Sequence, residues 1–437
     1  MTRARLDGLY LLLLGSAVFL FLGAALENAS PVAMIDFKAV YYPARCLMEH
    51  CDPYKESEVL RIYQAEAVES PLETSRIRQA ATRYLYLPAA FCFTIPFGML
   101  PWGPAHMLWM AVTVGSIIFA SFLVWELGAD YSPIVSGVLV GFLLANSEVL
   151  IVLGNTAAIA VSLCVIAVWS FLRERFVLAG IFCLALSLAI KPQDAGLVWL
   201  YFLLAGGVYR KRALQTLLAT AAVGLPAVLW VWHVAPHWIQ EWRSNVLAFS
   251  AHGRMNDPGP ASMGGHGLGM LVNLQAVISV YWDDPRIYNW ASYLVCAPLL
   301  LASVFVTLRS RSSPARAWLA LAAIAALSML PVYHHLYDAK LLLLTVPACA
   351  MLWSEGGPIG RLALLVNAAG LVLTGDLPWA ILFGFIGQMR PPTTTLGTQI
   401  LIAVQVFPAP LILLVMGVFY LWVYVRRCRA HTSPQPL

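Results

Sequence analysis

Charge is scarce in this sequence. The 22 acidic and 27 basic residues make up 11% of 437 positions, against 60% hydrophobic residues. A soluble chain is about a quarter charged. So few charges cannot solvate a water-soluble globule of this size, and lipid is the expected solvent for most of the chain. The net charge of +5 is small. Its bases fall in short clusters between apolar runs, which excludes a nucleic-acid-binding surface. Metal-ligand spacing is missing among the cysteines. Cys92, Cys164, Cys183, Cys296, Cys349 and Cys428 lie in or beside apolar runs. Cys46 and Cys51 share a polar loop. A disulfide there requires that loop to lie outside the cytoplasm, and the same spacing suits an unpaired helical segment.

What the chain has is apolar runs of spanning length. A bilayer crossing needs about 20 apolar residues. The first run, Leu9 to Ala25, is longer than a signal-peptide core and no small-x-small cleavage site follows it, so a retained helix is expected. Further runs cover 104–127, 132–150, 155–172, 176–190, 194–207, 213–234, 288–308, 315–331, 338–353, 360–375 and 397–425. The expected fold is therefore all-α, a polytopic membrane bundle of about 12 helices forming a single domain over 1–437. The run Leu85–Leu100 contains Pro88 and Pro96 and reads as an interfacial or re-entrant segment.

Short basic loops set orientation. Arg3 and Arg5, Arg173 and Arg175, Arg210 to Arg212, Arg309 to Arg316 and Arg426 to Arg429 share the inner side if Leu85–Leu100 does not cross. The outer side then receives a first loop, 28–103, with interfacial helices, and a second loop, 235–287. The stretch Lys55–Arg83 reads as an amphipathic surface helix. The stretch Met255–Gly269 reads as a flexible loop able to act as a lid.

Several polar residues stand where apolar ones are expected. Asp36 lies among Ile35, Phe37 and Tyr41 at the membrane boundary. Partial desolvation makes such a carboxylate more basic, which suits proton removal from a hydroxyl; a helix-capping Asp with no chemistry is the bland alternative. Lys191 sits between two apolar runs, away from the basic turns, followed by Pro192. An ammonium there suits a phosphate entering from the bilayer, and snorkelling to the interface is the bland alternative. Tyr333-His334-His335-Leu336-Tyr337-Asp338-Ala339-Lys340 concentrates polar groups between two spans. No standard zinc spacing is present, so the expected role is hydrogen bonding in a polar pocket. Adjacent histidines on a helix diverge by about 100°, so one of the pair is expected to face elsewhere. Asn155 follows Gly154 at the start of a run, where helix N-termini attract phosphate.

These motifs, in order, resemble glycosyltransferase family 87, the polyprenol-phosphate-mannose-dependent transferases. The carriers are Ile35-Asp36-Phe37 with Tyr41-Tyr42, then Asp52-Pro53-Tyr54, Tyr84-Leu85-Tyr86-Leu87-Pro88, Gly154-Asn155, Lys191-Pro192 and His334-His335-Leu336-Tyr337. The resemblance implies a GT-C bundle in the cell (inner or plasma) membrane, with its active site on the extracytoplasmic face. It implies an inverting transfer of a sugar, mannose by default, from a polyprenyl-phosphate donor to a lipid or glycan acceptor, with no cofactor and no metal. Asp36 matches the family's general base. Lys191, helped by His335 or His334, is the expected partner of the leaving phosphate, with Arg83 and Asn155 as further phosphate-binding residues. Tyr42, Asp52, Tyr54, Tyr86 and Tyr337 are the expected pocket residues. Asn155 stands where the family has Gln, His50-Cys51 where Gly is common, and Leu87 where the first Pro of a pair is usual; these departures bear on the donor sugar. A transporter or flippase of a lipid-linked glycan is the competing reading, and a non-enzymatic scaffold a third. The chain shows no internal repeat of the kind that transporters carry.

Overall fold

The computed structural model describes residues 2–66, 75–259, 270–310, 313–378, 380–381 and 395–430. Among them 81% are helical and there is no strand, apart from one isolated antiparallel bridge between Leu271 and His335. Helix is the outcome lipid demands, because it satisfies every backbone polar group within one segment. Seven helices are long and apolar enough to cross a membrane, among them α1 (Arg3–Ala29), α6 (Trp102–Ala129), α12 (Gly207–Val234) and α15 (Pro285–Arg309). At 1.5 Å per residue these four reach about 40 Å. Others among the expected twelve spans are shorter. They are α9 (Ala157–Arg173), α10 (Val177–Ile190), α11 (Pro192–Leu204), α16 (Pro314–Leu327) and α18 (Gly357–Leu373).

The remaining helices refine the expected runs. The run 132–150 divides into α7 (Pro133–Leu144) and α8 (Val149–Leu153). The run 338–353 starts as a 3-10 helix, Leu336–Thr345, and continues as α17 (Val346–Glu355). The run 397–425 breaks at Phe407 into α19 (Leu396–Val406) and α20 (Pro408–Ala430). Residues 28–103 form α2 (Ile35–Met48), α3 (Glu56–Glu66), α4 (Ser75–Thr82) and α5 (Phe91–Gly98). The single surface helix expected over Lys55–Arg83 is thus at least two, with 67–74 outside the described residues. The second loop carries α13 (Trp238–Ser250) and α14 (Leu274–Ser279). Of the glycine-rich stretch expected as a lid, 260–269 lie outside the described residues, as do 379 and 382–394 further along the chain.

The basic turns gather at one end of the bundle. Arg5 at the start of α1 and Arg173 at the end of α9 both bind Asp130, 2.7 and 2.5 Å away. Arg212 donates to the Phe171 carbonyl at 2.7 Å. Arg427 pairs with Glu355. At the far end of the bundle, Glu27 of α1 meets His106 of α6 at 2.8 Å. The chain therefore leaves α1 and enters α6 at the same end, and Leu85–Leu100 does not cross between them. α1 lies close against α7 because Gly8 and Gly15 face the backbone at Pro133 and Gly141, where a Cβ has no room. Small residues are how membrane helices approach this closely. Leucines on α12 and α15, such as Leu218, Leu229, Leu294 and Leu301, face outward, whereas nearly all of α16 is buried.

Short helices create the site. α10 and α11 have 14 and 13 residues, and α16 has 14. Each climbs only about 20 Å from the basic end. Their reversals, at Lys191 and at 328–335, bring buried polar side chains such as Lys191, Asp194, His334 and Asp338 together.

Candidate active site

Asp36 is held by a left-handed residue and a tight turn. Met34 has φ 56° and donates its N–H to the Val152 carbonyl at 2.7 Å. α2 starts at once, with Asp36 in its first turn. Opposite it, Gly154 has φ +63°, and a Cβ there would lie 2.6 Å from Met34 Sδ and 2.9 Å from Phe37 Cβ. Only glycine fits that approach. Its carbonyl accepts from Trp109 Nε1 at 2.9 Å, and Trp109 stacks on Phe37 at 4.5 Å.

This packing brings Asn155 to Asp36. Asn155 Nδ2 donates to Asp36 Oδ2 at 2.6 Å, and Asn155 Oδ1 accepts from the Ala157 N–H at 2.8 Å. The second bond fixes the amide so that its NH2 points at the carboxylate. Asp36 is partly buried. Burial pushes its carboxyl up to about 6; the Asn155 hydrogen bond and the Lys191 charge act against that rise, and Asp338 adds to it.

Lys191 lies at the reversal between α10 and α11, and 6% of its surface is exposed. It does not snorkel. Its ammonium pairs with Asp338 Oδ1 and lies 3.6 Å from Asp194 Oδ2 and 5.0 Å from the Tyr337 ring centroid. His334 Nε2 is 3.3 Å from Asp194 Oδ1. Asp338 Oδ2 accepts from the His335 N–H at 2.8 Å, which caps the 3-10 helix. A lone buried cation is costly, and two carboxylates offset that cost here.

The two histidines part company. His334 is fully buried, against Asp194 and the Val332 carbonyl at 3.1 Å. His335 contacts the Tyr333 hydroxyl through Nε2 and stacks on Tyr337 at 4.9 Å. Burial pushes the His335 ring down to about 4, so it is neutral at pH 7. Tyr333 and Tyr337 interact electrostatically with Asp36 and Tyr86. Tyr86 binds the Thr156 hydroxyl at 2.9 Å, beside Asn155. Asp36, Asn155, Tyr86, Lys191, His335 and Tyr337 therefore form one polar cluster.

Other residues expected at the site lie apart from it. Arg83 is tied to Glu56, with NH2 2.7 Å from Oε2. Asp52 Oδ1 accepts from the Tyr54 N–H at 2.9 Å, shaping a turn. Tyr54 is fully buried and donates to the Tyr86 carbonyl at 2.9 Å, so it supports the pocket from behind. Tyr42 packs against Tyr63 and Trp102. Cys46 and Cys51 form a disulfide in this layer.

Asp194 was not singled out by sequence reasoning, although its place three residues after Lys191 put it on the same helical face. Asn273, buried in the second loop, gave no signal. Among the described residues, groups of metal-ligand type gather elsewhere: His252 with Asp257 and Asp283, and the disulfide pair with Glu58. Asp257 is already engaged by the Gly253 and Gly259 amides and the Tyr288 hydroxyl.

A raised carboxyl group close to a paired ammonium and tyrosines suits proton removal from a hydroxyl beside an anionic group. The family model for glycosyltransferase family 87 matches residues 84–332, more than half of the chain. The match spans Tyr86, Asn155, Lys191 and Asp194 and ends just before His334. No curated protein matches, and no solved structure matches.

Proposed function

The chain belongs to glycosyltransferase family 87, and from that premise we propose that it transfers a sugar from a polyprenyl-phosphate donor to a lipid or glycan acceptor, within a GT-C bundle of about twelve helices. Mannose is the donor sugar by resemblance. The observation that carries the reading is the Asp36 carboxyl, raised to about 6, held by Asn155 and within reach of the Lys191 charge.

The acceptor hydroxyl oxygen attacks the anomeric carbon as the bond from that carbon to the phosphate oxygen breaks. The departing prenyl phosphate keeps the bonding electrons, and Asp36 takes the hydroxyl proton. Attack opposite the leaving group inverts the centre. Lys191 has three N–H donors. Asp338 takes one, Asp194 lies at a looser 3.6 Å, and the third serves the phosphate. The neutral His335 and the Tyr337 hydroxyl flank it. Tyr86 belongs to the pocket wall, whereas Tyr42, Asp52, Tyr54 and Arg83 act as scaffold.

Charge supports a side of action. With the basic end taken as cytoplasmic by the positive-inside rule, the reading puts the polar cluster in the extracytoplasmic half of the cell membrane. A climb of about 20 Å leaves Lys191 below the outer boundary of a hydrocarbon core roughly 30 Å thick. A lipid donor then reaches it without leaving the bilayer. The Cys46–Cys51 disulfide in the first loop is at home on an oxidising side.

The test uses the purified full chain in vesicles with synthetic farnesyl-phosphate-mannose and an extract of membrane lipids. Mass spectrometry is expected to find a lipid or glycan heavier by one sugar, and Asp36→Asn is expected to abolish it. Movement of an unaltered lipid-linked glycan across the vesicle, with no mass change, would favour a transporter instead.

A further inference from the structure

The second loop comes back onto the site through a segment that carries none of the family motifs. Val272 donates to the His334 carbonyl at 3.0 Å, and Leu336 donates to the Met270 carbonyl at 2.9 Å. These two bonds bracket the Leu271–His335 bridge. In an antiparallel pair, side chains alternate between faces. Leu271 and Asn273 therefore share a face with His335 and Tyr333, while Val272 shares the opposite face with His334. The first face is the one that meets Tyr337 and, through the tyrosines, Asp36.

One polar atom on that face has no hydrogen-bond partner. Asn273 is 3% exposed and its Oδ1 is unpaired. The His335 ring is already engaged, by the Tyr333 hydroxyl at Nε2 and by the Met270 backbone. Leaving Asn273 Oδ1 unmet costs about 1–3 kcal/mol. Gln275 pins the segment by donating to the Pro331 carbonyl at 2.7 Å, so Asn273 cannot easily swing away to find water.

We infer that Asn273 binds a hydroxyl of the transferred sugar, making Met270–Gln275 a sugar-recognition segment; this rests on the transferase reading above. The sugar hydroxyl donates its hydrogen to Asn273 Oδ1. The ligand class is a sugar hydroxyl rather than a phosphate, because an unprotonated phosphate oxygen has no proton for Asn273.

The experiment compares farnesyl phosphate with farnesyl-phosphate-mannose as ligands of the full chain, by thermal shift in detergent, for the wild type and Asn273→Leu. The wild type is expected to gain a larger shift from the sugar-bearing ligand. Asn273→Leu should keep the farnesyl phosphate shift and lose the increment due to sugar, with kcat/KM down roughly 10- to 100-fold. Asn273→Ser, which is smaller and keeps an oxygen, guards against misfolding and should restore part of the increment. An increment unchanged in Asn273→Leu, or absent from the wild type, overturns the inference. The increment decides it whether or not transfer occurs; a sugar increment without transfer would count against the transferase reading alone.

Discussion

Replacing Asp36 by Asn should stabilise the protein while stopping its reaction. Folding raises the Asp36 pKa from 3.8 to about 6. Between about pH 4 and 6 the folded state therefore holds the proton more tightly than the unfolded chain. Stability falls as pH rises through that window, and the whole penalty is present above 6. Two units correspond to roughly 3 kcal/mol at neutral pH, an upper value because the side chain is only partly buried. Asparagine has no charge to desolvate, and its carbonyl oxygen still accepts from Asn155. Asp36→Asn is expected to melt higher than wild type at pH 7.5 and to match it near pH 4. Transfer should fall about 100- to 10,000-fold, the range for a lost general base. Melting curves in detergent at the two pH values, with transfer from farnesyl-phosphate-mannose, measure both. A variant less stable at pH 7.5, or one that transfers at the wild-type rate, would refute the argument. In the wild type, transfer should decline as pH drops through about 6, because protonated Asp36 cannot accept a proton.

Asn155→Ala removes a bond that lowers the Asp36 pKa; its loss should move the acid limb of the pH–rate profile up by about one unit. Lys191→Ala leaves Asp194 and Asp338 buried together, so it should destabilise by roughly 3–5 kcal/mol. Lys191→Ala combined with Asp338→Asn should recover much of that in a denaturation series without recovering transfer. Gly154→Ala meets a positive φ and the Phe37 Cβ together, and is expected to cost roughly 2 kcal/mol or more and to impair transfer, both read on the same purified sample. Arg83→Ala breaks a half-exposed pair with Glu56; its melting curve should move by less than about 1 kcal/mol, with kcat within about twofold.

Much of the site was legible because charges in an apolar chain are conspicuous. Asp36, Lys191 and the His334–Lys340 cluster each broke the local pattern. Their mutual arrangement was not legible, because it depends on contacts between residues more than a hundred positions apart. Lys191 read as a free cation, although its two counterions are Asp194 and Asp338. Asp52 and Tyr54 belong to a conspicuous motif and Arg83 precedes another, yet their chemistry is spent on a turn, a backbone carbonyl and a surface pair. Asn273 stayed hidden because one amide in a loop has no periodicity to betray it. The all-helical class followed from composition. So did the lengths of α10 and α11, close to the runs 176–190 and 194–207; the breaks inside 132–150 and 397–425 did not, because hydropathy does not report a break between two apolar helices.

The stitching around Met34 has a mechanical consequence. Its amide is fastened to Val152 and the Asp36 carboxylate to Asn155, so the two segments are riveted at two points a few residues apart. Any breathing of the loop layer that lets a bulky lipid in or out must carry both partners together. Alignment of the carboxylate would then survive each opening, and slow exchange of those two amide protons would be its signature.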